Sequence, residues 1–557
     1  MLKEGQYKDQ RLCFTPFQYS LRIEQSILDS VHGLIGLSAV ESIIEHLPIF
    51  KRLHDVSQLG LTNRIFPCAL HNRYIHSLGV MYVADQMAMQ LRFSDNERQL
   101  LRLAALLHDI GHYPMSHDVE KAYMDNAKAA KGSEGNVQAF VESMVATKQI
   151  AEQKSKAEEI NLEHFEKKSD FHHEEIGKYL VEHSVSIKEA IIENFILKDI
   201  DFKHGTALLN DAFKGCTSLE DAIKCVVQDI GNIITGNISH NTRIFQNSYA
   251  VMIQLMHSEL DADNIDYLLR DAAFSGTTYG LLDMGLLIRS LDDCEKDFAL
   301  GATYPRIAGL SPSHNGKTAL RIVGVMPKGV GCAEQFFLNR YFAYYQVIHH
   351  KYTMVLSHML RHVILWLLNY TNASYQYREL YSVINNNDAQ GGFLTFTDGY
   401  IIDVINRVSI PNNASDKTKV IFKTLREFHA LNMLDEEKCI DKKTQKMLEK
   451  LERTPLFIEM ASSPPEPWLY LFETKRLAKQ ITQQNFDELL CKKAICDSNP
   501  ITPEERQKYE LDRLIESVVE IDKNRVPHIL ADIDRSHMSI LCELQYGILR
   551  KYSVAMY

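Results

Sequence analysis

Two adjacent side chains, His108 and Asp109, stand at the end of the apolar run in LLHDIGHYPMSH (106–117), where a helical core stripe would otherwise continue. Burying an unpaired carboxylate beside an imidazole is costly. A divalent cation removes that cost, because neutral imidazole and ionised carboxylate are good ligands for zinc, iron or manganese. Gly111 and Pro114 then end the helix close to the pair and leave His112 and His117 near the same mouth. Taken alone, a His-Asp dipeptide is more often a capping or surface pair than a ligand pair, so its surroundings decide.

Upstream, HNRYIHSLGVMYVADQM (71–87) starts a helix with His76 on the side of the apolar stripe and Arg73 one turn earlier. Downstream, SELDADNIDYLLRDAAFSG (258–276) offers Asp261, Asp263, Asp266 and Asp271 in a helix whose apolar positions include Ile265, Leu268 and Leu269. Three helices thus each offer one or two ligands. A mononuclear site built as His, His-Asp, Asp leaves coordination positions open for water and a phosphate oxygen, which a catalytic site needs and a structural one lacks.

The ordered set His, His-Asp, Asp, with H-D-x-G-H-x-P-x-S-H and R-x-x-H-S-L-G around it, resembles the HD-domain phosphohydrolases. Among them it is most similar to the deoxynucleoside triphosphate triphosphohydrolases of the bacterial dGTPase and SAM-and-HD-domain type. The resemblance runs from about Gln58 to Lys351 and includes QLG (58–60), FHHEEIG (171–177), DADNIDYLLRD (261–271), and Arg340 followed by HHK (349–351). It implies metal ligands at His76, His108, Asp109 and Asp263. It places His117 and His173 near the scissile phosphate, with Glu120 or Glu174 as orienting carboxylates and His112 beside them. It implies a phosphate grip by Arg73, Arg340 and Lys351, a further substrate contact from His350, contacts to phosphate and sugar from Tyr267 and Asp271, a sugar or base contact from Gln58, and packing of Leu59 against the sugar. The chain departs from the family at three points. Asn264 stands where the eukaryotic-type enzyme has a phosphate-binding lysine, and Ile348 where a tyrosine packs on deoxyribose. The spacing from His117 to His172 is also longer than the family's.

The elements that must position these groups read as mainly α: an HD-domain helical core, a small β-hairpin subregion, and a mixed, mostly helical C-terminal region. Apolar residues recur at three- and four-residue steps in 77–93 and 96–112. Strand signals concentrate in RIAGL (306–310) and TALRIVGV (318–325), joined by a turn-like SPSHNGK, with GGFLTFTDGYI (391–401) as a further candidate strand. The expected organisation is an N-terminal segment over 1–49, an HD phosphohydrolase domain over 50–360 with a polar insertion at about 121–170, and a C-terminal helical or oligomerisation region over 361–557. SSPPEPW (462–468) reads as a connection.

The 557 residues, 45% hydrophobic and 24% charged, are ample for a large core. Formal net charge is −11, so an anionic substrate must be drawn in by a few concentrated cations or a metal. The ten cysteines include no CxxC pair, which argues against a zinc ribbon or disulfide framework. No apolar run of about eighteen residues suggests a membrane span, and charges occupy the N-terminus where a secretory signal needs an apolar run, so a cytoplasmic protein is expected. The sequence reading is a metal-dependent phosphohydrolase acting on nucleotides, foremost a (d)NTP triphosphohydrolase releasing nucleoside and triphosphate. Another HD hydrolase (nucleotidase, cyclic-nucleotide phosphodiesterase or single-strand nuclease) and a non-catalytic nucleotide sensor are the alternatives. The cofactor is one tightly held divalent ion, Fe, Mn, Zn or Mg, with Mg also accompanying the phosphates. Expected partners are a dNTP substrate, a nucleotide effector, single-stranded nucleic acid and further copies of the chain in a homo-oligomer.

Overall fold

The computed structural model describes residues 22–131, 172–192, 219–237, 246–298, 310–312, 318–369, 393–427, 431–439, 456–459, 468–476, 506, 510, 513–533 and 545–554. Counting helices of eight residues or more, the described chain opens with a hairpin of β1 (Ile23–Asp29) and β2 (Gly33–Ser38), then α1 (Ala39–His46). The helical core follows: α2 (Arg73–Gln90), α3 (Asp95–Leu107), α4 (His117–Lys131), α5 (His173–His183), α6 (Leu219–Ile234), α7 (Gln246–His257) and α8 (Ala262–Ser275). Beyond it lie β3 (Leu291–Phe298), β4 (Leu310–Pro312), β5 (Thr318–Val325), α9 (Val330–Ala343), α10 (Lys351–Asn369), α11 (Asp398–Arg407) and α12 (Asp416–Glu427). The described C-terminal strands are β6 (Leu431–Cys439), β7 (Leu456–Glu459), β8 (Trp468–Arg476), β9 (Val519–Ile521), β10 (Pro527–Ile529) and β11 (Gln545–Val554).

The mainly helical expectation holds, and the two periodic runs become α2 and α3. Helix α2 is buried on almost every side from Arg73 to Ala88, as befits a helix at the centre of a bundle. Asn72 caps its start by accepting from Ile75 N at 3.2 Å, and Ser94 with Glu97 forms a capping box on α3. Helices α3 and α8 both pack on α2, and α5 packs on α6. One apolar cluster gathers α2, α3, α6, α7 and α8, and a second gathers α4, α10, α11 and α12. The turn after α3 joins them, since Ile110 lies in the first cluster and Tyr113 and Met115 in the second.

The expected hairpin is present where described: β4 pairs antiparallel with β5 through Leu310↔Leu320, while 306–309 lie outside the described residues. The sheet is larger than the sequence suggested, because β3 covers the other edge of β5 and β9 extends the sheet to β10. The strand expected at 391–401 is not one. Phe393–Thr395 is a short 3-10 helix and Asp398 begins α11. The cause is tertiary: the Asp398 carboxylate accepts from Ser57 N at 2.9 Å and Met115 N at 2.6 Å, which ties this corner to the turn after α3. A second, four-stranded antiparallel sheet in the order β6-β11-β8-β7 occupies the C-terminal region. Of the 121–170 stretch, residues to 131 continue α4 and the rest lie outside the described residues, as does SSPPEPW up to Trp468, the first residue of β8. Among the described residues, no helix is long and apolar enough to cross a membrane.

Candidate metal centre and its histidine cluster

His76 lies on the second turn of α2, His108 and Asp109 at the end of α3, and Asp263 on the first turn of α8. The structure brings the four together. One donor atom from each of His76, His108 and Asp109 lies within 4.8 Å of the others, and Asp263 Oδ1 is 2.9 Å from His76 Nε2. Asp109 carboxylate oxygens lie 3.5 Å from His108 Nε2 and 3.8 Å from His76 Nε2. Asp263 is 40% exposed while the other three are buried, so the cluster opens on the α8 side.

The ring nitrogens test whether these residues fit a cation. His108 Nδ1 donates to Ala105 O at 2.8 Å and His76 Nδ1 to Asp266 Oδ2 at 2.7 Å. Each ring therefore spends its proton on Nδ1 and turns Nε2 inward, and both Nε2 atoms are buried without a well-formed hydrogen bond. Two imidazole lone pairs facing two carboxylates repel unless a proton or a cation sits between them. That donor set, with the far nitrogen of each imidazole held by an oxygen, fits a divalent metal. With a proton alone, burial would lower the His76 pKa, but hydrogen bonds and charge from Asp263 and Asp266 outweigh it and raise it to about 10. Burial likewise opposes ionisation of Asp263, yet His76 lowers its pKa to about 2. Asp109 is held well below the usual carboxylate range by Arg73, which donates to its Oδ2 at 2.7 Å, and by the surrounding histidines, against the cost of burial.

A second cluster adjoins the first. His112, His117, Glu120 and His173 each place a donor atom within 4.8 Å of the others. Glu120 accepts from His117 Nδ1 and from His173 Nδ1, both at 2.8 Å, and from His173 N at 2.9 Å. Glycines allow this approach: a Cβ on Gly111 would lie 2.3 Å from His173 O and from Gly177 N, so only glycine lets α5 close on the turn after α3. Burial would push the His173 pKa down, but the charge and hydrogen bond of Glu120 raise it to about 8. His112 is held well below the ordinary histidine range by burial and by Arg73, and His117 is lowered by burial despite Glu120. Glu174 lies 3.5 Å from His172 Nδ1 at the start of α5.

The expected substrate contacts are distributed around these clusters. Arg73 also donates to Ser116 Oγ, and Gln58 Oε1 is buried without a hydrogen-bond partner. Leu59 is half-buried beside it. Arg340 is buried against α8, donating to Glu259 and reaching Asn264 Oδ1 at 3.4 Å; Tyr267 is hydrogen-bonded with Tyr344. Asp271 accepts from His71 Nε2 at 2.7 Å. His350 meets Phe66 edge-on, and Lys351 lies over the Tyr352 ring. Of the other acids on the 258–276 segment, Asp261 is the N-cap of α8, accepting from Asn264 N at 2.7 Å.

Sequence reasoning missed Arg52 and Asp398. Buried Arg52 donates to His112 O at 2.6 Å and Phe396 O at 2.6 Å, clamping the turn that carries both clusters. Met115 and Ser116 in that turn have φ of 52° and 55°, a left-handed pair that non-glycine residues hold only when the surroundings enforce it. Nothing in the mixed run IFKRLHDV (49–56), which carries Lys51, Arg52, His54 and Asp55, singled out Arg52, and nothing announced Asp398.

Known proteins resemble parts of this chain in sequence and fold. The family model described as HD domain matches residues 73–204. An uncharacterized protein of Methanocaldococcus jannaschii is 23% identical over 388 residues, covering 70% of this chain and 58% of its own length. The deoxynucleoside triphosphate triphosphohydrolase SAMHD1 homolog of Dictyostelium discoideum is 34% identical over 123 residues, covering 20% of this chain and 23% of its own. The chain spans about half the length of the first curated relatives it matches. A solved phosphohydrolase structure from Bacteroides thetaiotaomicron shares the fold, with a TM-score of 0.52 and 17% identity over 96% of this chain and all of that one. The residues His76, His108, Asp109, His112 and His117 all lie within the stretch that the HD domain model matches, in a chain that over about a fifth of its length resembles the deoxynucleoside triphosphate triphosphohydrolases.

Proposed function

We propose that this chain is a metal-dependent nucleotide phosphohydrolase that cleaves deoxynucleoside triphosphates at the α-phosphorus, releasing nucleoside and triphosphate. The observation that carries the hydrolase reading is the pair of buried, inward-facing Nε2 atoms on His76 and His108 turned toward the carboxylates of Asp109 and Asp263. A divalent cation bound there, Fe, Mn, Zn or Mg, supplies Lewis-acid polarisation of phosphate and lowers the pKa of bound water.

The chain's own residues supply the rest. His173, with its pKa near 8, holds a proton at neutral pH and donates it to the leaving oxygen, and Glu120 keeps that imidazole charged and oriented. His117 shares the same carboxylate and remains unprotonated, and His112 stays neutral beside it. Arg73, fixed by Asp109 and Ser116, offers a pre-set guanidinium to the phosphates. Gln58, with its buried unpartnered Oε1, suits a contact to sugar or base. The triphosphate reading draws further support from the partial similarity to proteins named for that activity.

A second reading, a phosphohydrolase of another nucleotide ester, is favoured by one observation: Arg340 is already engaged by Glu259 and Asn264, which loosens the grip on a triphosphate tail. Incubation of metal-loaded protein with separate dNTPs and NTPs, resolved by anion exchange, tests both. Nucleoside with tripolyphosphate supports the first. No nucleoside from any triphosphate, even with mixed nucleotides present as effectors, sinks it and directs the search to monophosphates, cyclic nucleotides and single strands.

A further inference from the structure

His76 can present a lone pair to a cation only while its other ring nitrogen keeps the proton. Asp266, less than one turn beyond Asp263 on α8, accepts that proton's hydrogen bond at 2.7 Å. What holds Asp266 comes in part from its own helix and in part from the far end of the chain. Its Oδ1 accepts from His32 Nε2 at 2.5 Å and from an Arg270 guanidinium nitrogen at 2.9 Å, and its Oδ2 accepts from Arg270 Nε at 2.9 Å. His32 sits in the turn between β1 and β2. Asp29 shapes that turn by accepting from Val31 N at 3.0 Å and His32 N at 2.8 Å, and it receives the other face of Arg270 at 2.7 Å.

Three features mark this as a built arrangement. The His32, Asp266 and Arg270 side chains are 1% exposed or less. Gly79 leaves room for them, since a Cβ there would lie 1.9 Å from Asp266 Oδ1 and 2.3 Å from Arg270. His32 Nδ1 is buried with no hydrogen-bond partner, so the ring tolerates an unsatisfied nitrogen in order to aim Nε2 at Asp266.

We propose that the tip of the N-terminal hairpin is a positioning element of the metal centre: His32, with Arg270, fixes Asp266, and Asp266 fixes the tautomer and direction of His76. The inference rests on the reading of His76 as a ligand. Outer partners of metal-bound histidines are worth about 10- to 100-fold in metal affinity.

The test is calorimetric titration of the metal-free full chain with manganese(II), comparing wild type with His76→Ala, Asp266→Asn, His32→Gln and His32→Asn. A glutamine amide reaches the Nε2 position of histidine and an asparagine amide reaches only Nδ1, so the two His32 variants are of similar polarity and differ in the one contact that matters. The expected result is loss of binding in His76→Ala, a fall of about 10- to 100-fold in Asp266→Asn, a fall of about tenfold in His32→Asn, and recovery to within about threefold of wild type in His32→Gln. Affinity in His32→Asn within threefold of wild type, or equal losses in His32→Asn and His32→Gln, overturns the positioning role while leaving His76 as a ligand. Unchanged affinity in His76→Ala is a different failure, that of the metal site itself.

Discussion

At one end of the packed pair α2 and α3, Arg102 donates to both oxygens of Glu41, to Asp85 at 2.8 Å and to Gly36 O at 2.7 Å, and Arg98 grips the same Asp85 at 2.9 Å and 3.2 Å. At the other end, about 13 Å along α2 by its rise per residue, His76 and His108 aim bare nitrogens at Asp109 and Asp263. Both clusters are polar and buried, and both use the same two helices. In the first, each charge meets its opposite and the carboxylate oxygens are occupied by donors, so the cluster completes itself. In the second, Arg73 meets one oxygen of Asp109, but the Nε2 lone pairs of His76 and His108 still face carboxylates, an arrangement that a cation would complete. Buried polarity is structural where it is closed and functional where it is left open.

The sharpest way to break this contrast is to exchange the consequences of mutation. His108→Ala is expected to lower turnover at least about a thousandfold, several kcal/mol of transition-state stabilisation, with the melting temperature of metal-free protein unchanged or raised because a repulsive site is relieved. Steady-state assay and thermal melting on one preparation check both halves. Arg102→Ala is expected to do the reverse. Leaving Glu41 and Asp85 without their common partner costs about 3–5 kcal/mol of folding stability, measured by denaturant titration, while turnover per folded molecule stays within twofold. A catalytic collapse in Arg102→Ala would merge the two clusters into one.

The same contrast explains what was legible in the sequence. The open site could be read because its residue types make no sense in an apolar stripe without a counterion: His108-Asp109 ends a run of buried leucines, and Asp263 sits two residues before Ile265 and five before Leu268. Helices α2 and α3 could be read from period. The closed cluster, by contrast, gave no signal, since Arg98 and Asp85 look like ordinary surface charges until the fold brings them together. Distance along the chain hid the rest. Asp398 lies 283 residues from Met115, whose amide it receives, and His32 lies 234 residues from Asp266. The run FLTFTDGYI has strand-like aromatic and β-branched residues, yet the pull of Asp398 toward the turn after α3 made it a helix start. The strands LNMLDEEKC and QYGILRKYSV mix charges on both alternations, so no period of two announced the C-terminal sheet.

A smaller effect sharpens the distinction without disabling either cluster. An open site gains stability from its missing component and a closed one does not. Manganese at about a hundredfold over its dissociation constant should stabilise the wild type by about 2.7 kcal/mol. Arg102→Ala, melting lower, should show the same increment, and Asp263→Ala should show little of it. An increment of equal size in Asp263→Ala would place the cation elsewhere.

The mildest expected effect is on the pH profile, and it concerns the cluster that is neither fully closed nor open. Burial lowers the affinity of His173 for a proton, and Glu120 more than restores it, to a pKa of about 8. A raised pKa means the proton is present below that value and lost above it, so the leaving oxygen is served at neutral pH and unserved in base. Turnover at saturating metal should therefore fall about tenfold per pH unit above pH 8, with the break near that value. Glu120→Gln removes the largest charge that offsets burial and leaves only Glu174 and Asp109 to oppose it, which moves the break to lower pH. At pH 7 the variant then has less protonated imidazole than the wild type. A basic limb that stays at pH 8 in Glu120→Gln would assign the proton to some group other than His173, and would leave Glu120 as a structural tether between α4 and α5.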